Sequence, residues 1–396
     1  MKHLYVHLPF CRTPCAYCDF ASEPFWPHFR AGRVERYLEA LQEELIERTG
    51  PGSASGGIFR TIYLGGGTPT VIPPDLLVAL VRYLAAWLER PSDAPTASGE
   101  AEFTAAGVAD VPELPEFTIE ANPGTIDAHL LERLAEAGIS RLSLGVQSFA
   151  PALRAALGRR VSQKEIEDAL TAVSAVGWRE WNLDLVFGIP GQTRVDAFAD
   201  VDAAVAAGPT HISLYDLTYT QAYRTRVDVT LGVGARSAAD AFAEQHYSEV
   251  VARLEASGYR RYEVSNFALA GHECRHNLAY WRGEDYLGIG ASAVSTIGGE
   301  RRTNPRSAGE YLARRPAQVE LLSPKTKMWE KAMLGLRTSD GVEEAAVLPV
   351  VDGVARDRLL AQGCLERRYG KLRLNPGFLD VSNTVIGALL VPPGES

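Results

Sequence analysis

"HLPFCRTPCAYCDF", residues 7–20, carries three of the chain's five cysteines, Cys11, Cys15 and Cys18, in the spacing C-x3-C-x2-C. Thiolates suit zinc or iron–sulfur centres. A structural zinc site takes four ligands, usually as paired knuckles far apart in sequence. Here three thiols leave one tight loop. A four-iron cluster held by three cysteines keeps one iron open to an exogenous ligand, and the spacing favours that reading. A zinc ion completed by His7, Asp19 or Cys274 is the plainer alternative. The loop follows at once on "HLYVHL" (3–8), a run of the kind that makes a buried strand.

Outward from that loop, one alternation recurs. Strand-like runs "HLYVHL" (3–8), "TIYL" (61–64), "FTIEA" (117–121), "RLSLG" (141–145), "NLDLVF" (182–187) and "HISLYDL" (211–217) alternate with helical patterns. The segment 32–48 puts Val34, Tyr37, Leu38, Leu41 and Leu45 on one helical face. The segment 74–90 opens on Pro and Asp, and the helices at 128–138, 162–177 and 194–208 each stop at a glycine. Six strands with helical crossovers predict an α/β fold: a parallel sheet curled into a partial (βα)6, TIM-like barrel. Such barrels carry their chemistry just after the strands. We therefore expect a barrel over 1–235, with 90–116 as a loose insertion rich in Ala, Pro, Glu and Gly. An extension follows over 236–304, with an extra strand at 260–268. A small C-terminal α+β domain, winged-helix-like, spans 305–396 and serves packing or a lid rather than DNA binding.

Composition limits the classes of function. The 396 residues are 46% hydrophobic, with a formal charge of −9 and a pI near 5.5. That balance argues against nucleic acid or an anionic membrane as the main partner. No apolar run reaches the roughly 20 residues that span a bilayer, and the N-terminus does not read as a signal peptide. Five cysteines, mostly clustered, suit metal binding in a reducing compartment better than a disulfide framework. The expected location is the cytoplasm.

Polar motifs sit where the barrel rule puts them. "YLGGGTPT" follows strand two, and its glycines let backbone approach a ligand closely; alone, the triplet is commonly just a tight turn. Glu120 ends strand three, Gln147 ends strand four, and Asp184 interrupts a Val/Leu/Phe run in strand five. Each could simply point outward, but one polar residue on each of three successive strands favours a shared polar cavity. Arg159 follows strand four and can pair a carboxylate. Tyr5 lies on strand one, six residues before Cys11.

A C-x3-C-x2-C loop after the first strand of a βα barrel resembles the radical S-adenosylmethionine (SAM) enzymes. The resemblance implies a 4Fe–4S cluster on Cys11, Cys15 and Cys18, with SAM's amino and carboxylate groups on the fourth iron. It places Tyr17 beside the adenine, and Gly66, Gly67 and Thr68 on SAM's amino group. The remaining motifs are similar to those of the oxygen-independent coproporphyrinogen III oxidase-like family, from residue 1 to about residue 390. That likeness implies SAM contacts from Tyr5, Glu120, Gln147, Arg159 and Asp184, with Arg159 on the methionine carboxylate and Glu120 and Asp184 on ribose hydroxyls or amine. When such a protein is active, the cluster supplies an electron that cleaves SAM to methionine and a 5′-deoxyadenosyl radical.

The family has two branches. True oxidases carry a further cysteine in C-x-C form and a long N-terminal extension. This chain reads "CDF" there, with Phe20, and strand one starts at once. It is thus similar to the HemW branch, heme chaperones that bind heme and pass it to acceptor proteins, with SAM cleavage vestigial or regulatory. "CRHNLAYW" (274–281) agrees with the HNxxYW signature of that branch. The resemblance makes His276 an axial heme ligand, with Tyr280 and Trp281 against the porphyrin. A structural histidine is the alternative, and Cys274 and His272 are rivals for the iron. Expected partners are heme, heme-accepting proteins that include a transiently met membrane protein, and an electron donor, but no nucleic acid. Two residues depart from the branch's wording, Val161 in "LGRRV" and Val294 in "ASAVS", where relatives often carry histidine. Two other functions remain open: coproporphyrinogen decarboxylation, and a non-catalytic zinc module.

Overall fold

The computed structural model describes residues 1–50, 57–89, 114–232 and 234–394. Six parallel strands pair in chain order: β1 (His3–Leu8), β2 (Thr61–Gly66), β3 (Glu116–Ala121), β4 (Arg141–Gln147), β5 (Glu180–Phe187) and β6 (His211–Asp216). The connections include α1 (Arg33–Thr49), α2 (Pro74–Ala85), α3 (Ala128–Ala137), α4 (Gln163–Val176) and α5 (Arg194–Ala207). This is the expected partial barrel.

Local sequence explains these elements. Ser162 and Glu165 close a reciprocal capping box on α4, as Thr193 and Asp196 do on α5. Gly138, Gly177 and Gly208 end their helices with left-handed backbone, as expected. The predicted apolar face of α1 is buried from Val34 to Leu45. One helix is shorter than the 74–90 pattern suggested. It ends at Ala85 because Leu88 turns extended and bridges Phe59, while Trp87 fills the core.

The sheet's alternation separates two environments. Leu4, Val6, Ile62, Leu64, Phe117, Ile119, Leu142 and Leu144 join the apolar core beneath the helices. The intervening residues Tyr63, Thr118, Ser143, Asn182 and Ser213 line a small polar cavity in the lumen.

Several expected boundaries move. The insertion 90–116 lies outside the described residues except at 114–116, and there it is not loose: Glu116 is buried and starts β3. Helix α6 (Gly234–Ala256) crosses the boundary placed at 235/236; Arg194–Glu249 and Arg253–Asp202 ion pairs fasten it to α5. The extra strand at 260–268 is two short ones, β7 (Arg260–Arg261) and β8 (Asn266–Ala268). They form a hairpin whose second arm runs antiparallel to β6. Beyond α7 (Arg275–Trp281), β9 (Tyr286–Ile289) pairs parallel to β1. Strands β10 (Val294–Ile297), β11 (Glu300–Thr303) and β12 (Gln318–Leu321) then extend the same sheet. The chain therefore belongs to the large sheet as far as Leu321, not Asn304. Beyond Leu321 the elements are helices and a small separate sheet around an apolar cluster of their own. They include α8 (Pro324–Gly335), α9 (Gly353–Ala361), α10 (Ser382–Leu389) and a three-stranded sheet of Val342–Glu343, Lys371–Leu374 and Leu365–Arg368. Two of its three hairpin arginines are paired, Arg367 with Glu344 and Arg373 with Glu366, and Arg368 lies over the Tyr369 ring.

Tyr37 joins three of these parts. Fully buried on α1, its hydroxyl donates to the His7 carbonyl at 2.9 Å and accepts from the Ala291 N–H at 2.7 Å. Tyr37→Phe leaves both buried groups without that partner, so it should cost about 1–3 kcal/mol. Urea denaturation of variant and wild type checks this; equal midpoints would contradict the role assigned to the hydroxyl.

Candidate functional site

The cysteine loop leaves the end of β1 and is pinned by the loop after β2. The Gly67 N–H donates to the Leu8 carbonyl at 2.8 Å, and the Thr68 N–H to the Phe10 carbonyl at 2.7 Å. Gly66 has φ +108°, and a β-carbon there would lie 2.5 Å from the His7 ring. Only glycine fits. His7 holds the far side of the loop. Its Nε2 lies 2.8 Å from the Ala21 carbonyl, which can only accept, so Nδ1 accepts from the Tyr5 hydroxyl at 3.0 Å. Burial lowers the His7 pKa and keeps this ring neutral.

Cys11, Cys15 and Cys18 are free and half-buried. All three face donors: Thr68 Oγ1 donates to Cys11 Sγ at 3.8 Å, with Ser22 also reaching Cys11, Arg159 Nη1 donates to Cys15 Sγ at 3.8 Å, and the Phe20 backbone N–H faces Cys18. Burial raises the thiol pKa of Cys11 and pushes that of Cys18 up to about 11. Metal loading must therefore displace protons. Among the described residues, no three His, Cys, Asp or Glu side chains converge on a single ion. A cubane takes each thiolate on a different iron and does not ask for such convergence.

Beside the thiols lie two carboxylates. Glu120 accepts from the Tyr63 hydroxyl at 2.9 Å and the Gly66 N–H at 3.1 Å. Burial pushes its pKa up to about 7 against the Tyr63 hydrogen bond. Asp184 accepts from Asn182 Nδ2 at 2.7 Å and Ser143 Oγ at 3.4 Å, and burial raises its pKa too. Arg159, also buried, gives Nη2 to Asn122 Oδ1 and the Gly145 carbonyl, while its Nε has no partner. Gln147 sits at a bulge with φ +73° and packs by Gly145 and Arg159. Tyr17 is close enough to Arg159 and Asp184 to feel both, and its ring meets Tyr223 edge-on at 6.5 Å. Tyr5 stacks on Tyr63 at 6.2 Å. The structure thus gathers Tyr5, Tyr17, Gly66, Gly67, Thr68, Glu120, Gln147, Arg159 and Asp184 around the cysteine loop.

This arrangement fits the groups that the sequence implied. Neither carboxylate forms an ion pair among the described residues, although Asp184 feels Arg159 at longer range, and such a pair suits a ligand carrying positive charge and hydroxyls. An unpartnered guanidinium N–H suits a carboxylate. The cysteine loop supplies thiolates for a metal cluster. Sequence reasoning missed Asn122, Tyr63, Ser143 and Asn182. Asn122 was legible in "TIEANPGT", since it too follows a strand. The other three lie inside strands, and only pairing shows which face they occupy.

His276 is not in this site. It starts α7, at the opposite end of the lumen, where it is 2% exposed. Its Nδ1 lies 2.7 Å from Thr61 Oγ1, its ring stacks on Tyr63 at 5.1 Å, and burial lowers its pKa to about 3. The imidazole is buried at the bottom of the barrel, and its Nε2 has no hydrogen-bond partner among the described residues. Cys274 is buried beside Glu116, and His272 pairs with Glu180. Glu116 holds the start of α7, accepting from the Arg275 and His276 N–H groups at 3.0 and 2.9 Å. Tyr280, by contrast, reaches the site end. With Tyr5, Phe20, Tyr286 and Val294 it lines a cavity of about 250 Å³ beside the cysteine loop. Phe20 is 68% exposed at its rim. Val161 packs against the apolar core instead.

Residues 5–203 match the radical SAM superfamily. The chain is 35% identical over 376 residues to the heme chaperone HemW of Synechocystis, covering 90% of this chain and 82% of that protein. It is 32% identical over 397 residues to the heme chaperone HemW of Escherichia coli, covering 94% and 96%. The heme chaperone HemW of Mycobacterium tuberculosis is also 32% identical, over 98% of this chain and 94% of its own. Among solved structures, coproporphyrinogen III oxidase (HemN) of Escherichia coli, a radical SAM enzyme, superposes with a TM-score of 0.74 at 19% identity. That match covers 98% of this chain and 89% of that one. At that identity the likeness establishes the fold. No helix among the described residues is long and apolar enough to cross a membrane.

Glu120 yields a pH test on the metal-free protein. Its folded pKa of about 7 lies above the ordinary 4.5. Its contribution to stability is therefore fully present below about pH 4.5 and lost as pH rises through about 7. Relative to Glu120→Gln, wild type should lose about 1–3 kcal/mol between these limits. Paired denaturation curves at pH 4.5 and pH 8 read it; a constant difference would contradict the burial assigned to this carboxylate.

Proposed function

The chain belongs to the radical SAM superfamily and, within it, to the heme chaperone HemW family, and from that premise we propose that it binds heme and hands it to acceptor proteins. In this reading Cys11, Cys15 and Cys18 hold a 4Fe–4S cluster. SAM lies across the Gly66–Thr68 loop, with Glu120 and Asp184 toward its amine and ribose, Arg159 toward its carboxylate, and Tyr17 by its adenine. Tyr5 and Gln147 complete the wall. When bound, the reduced cluster supplies one electron toward SAM's sulfonium. The protein's own part is to align that ligand and to keep water out.

One observation carries the SAM half of the reading: the three thiols lie near two carboxylates that form no ion pair among the described residues and a guanidinium with a spare N–H. SAM presents the complement: an ammonium, a carboxylate, a sulfonium and a ribose diol. The heme half rests on the family and on the aromatic cavity beside the cysteine loop. Tyr5, Tyr280 and Tyr286 give it walls suited to the edge of a flat macrocycle, and Phe20 lies free at its mouth. With His276 buried, we assign heme to that cavity rather than to the HNxxYW histidine. Acceptors and the electron donor are partners of this same face.

Anaerobic heme titration of reconstituted protein, followed at the Soret band, tests the reading. Wild type should bind heme and release it when an apo-acceptor is added. Phe20→Ala should weaken binding several-fold, and His276→Ala should leave the ligand spectrum unchanged. A spectrum changed by His276→Ala but not by Phe20→Ala would return the heme to the barrel bottom. Conversion of coproporphyrinogen III to a vinyl-bearing product by the reduced protein would favour the oxidase instead.

A further inference from the structure

The turn after β3 does more than end a strand. Asn122 contacts two of the side chains that face the cysteine sulfurs, Thr68 and Arg159; Ser22 is a further donor to Cys11. Its Oδ1 accepts from Arg159 Nη2, and its Nδ2 donates to Thr68 Oγ1 at 2.6 Å. Arg159 and Thr68 in turn donate to Cys15 and Cys11. The amide is fixed in this orientation, because a guanidinium can only donate and so must meet the oxygen. The NH2 end then faces Thr68 and occupies its lone pair. The Thr68 hydroxyl proton is left to point at Cys11. The turn itself is held to the loop after β2: Thr125 Oγ1 donates to the Asn122 carbonyl at 2.6 Å and lies 2.6 Å from Thr70 Oγ1. Arg12, on the cysteine loop, also reaches back to the Gly124 carbonyl at 3.1 Å.

We propose that Asn122 is a positioning residue for the cluster. By its amide orientation it forces the Thr68 hydroxyl to donate to Cys11 sulfur, and it steadies Arg159 against Cys15. The inference rests on the cluster reading above. Hydrogen bonds to cysteine sulfur raise a cluster's reduction potential by stabilising the added electron. The amide therefore acts on the metal site through two other side chains, without touching it.

Asn122→Asp is the decisive variant. It is isosteric and keeps an oxygen for Arg159, but its second oxygen can only accept. The Thr68 proton would swing to the carboxylate and away from Cys11. The reduction midpoint of the reconstituted cluster, read by potentiometric titration with EPR, should move to more negative values. Thr68→Val removes the same donor and should move it the same way. In the double variant the Asn122→Asp shift should shrink markedly, because the hydroxyl it redirects is gone. A shift of equal size with and without the Thr68 hydroxyl is what a bare added charge gives, and would overturn the proposal. Asn122→Ala adds no charge and answers the same question should the aspartate variant load poorly. Its shift must also shrink in the Thr68→Val background, and an undiminished shift overturns the proposal. Wild type that takes up no iron and sulfide would instead sink the cluster reading, so the two failures are distinct.

Discussion

Gly67 comes so near the end of β1 that a β-carbon on it would lie 2.5 Å from the Phe10 carbonyl and 2.9 Å from that of Leu8. This contact underlies the rest of the site. It lets two backbone N–H groups of the loop after β2 seize the first residues of the cysteine loop. That loop has little regular structure of its own. Its place is set by what holds it: the glycine loop with Thr68 on one side, His7 at Ala21 on the other, Arg159 at Cys15, and its own Arg12 reaching to the Gly124 carbonyl. These contacts come from the ends of several barrel strands, so barrel closure and thiol placement go together.

The electrostatics follow from the same closure. The barrel's inward row is polar and its outward row apolar, so the lumen buries carboxylates that water would otherwise solvate. Glu120 and Asp184 are raised in pKa by that burial. A cationic ligand beside them would offset that penalty. At the other end the buried charges have partners of their own. His276 and His211 are buried with lowered pKa, Arg141 lies beside Glu180 at 3.6 Å, and Glu116 is absorbed in holding α7.

Much of this was legible in the chain. Strand–helix alternation gave the barrel, because buried parallel strands and amphipathic helices have distinct periods. The residues around the cysteine loop were legible because a barrel places polar positions at its strand ends. His276 was not, since a motif cannot say which end of a lumen a short helix enters. Asn122 was passed over although its neighbour Glu120 was not; its importance lies in two contacts made through folding rather than in its type. The boundary near residue 305 failed for a related reason. Residues 318–321 look unlike the barrel strands, "QVEL" being exposed throughout, yet they add an edge to the same sheet.

The proposed function stands on Cys11, Cys15 and Cys18 holding a four-iron centre whose fourth iron takes SAM. Mössbauer spectroscopy of protein reconstituted anaerobically with 57Fe, with and without SAM, tests it most directly. The expected result is cubane iron in which one site alone changes its isomer shift and quadrupole splitting when SAM is added. A spectrum without cubane iron, or one that SAM leaves untouched, would contradict it.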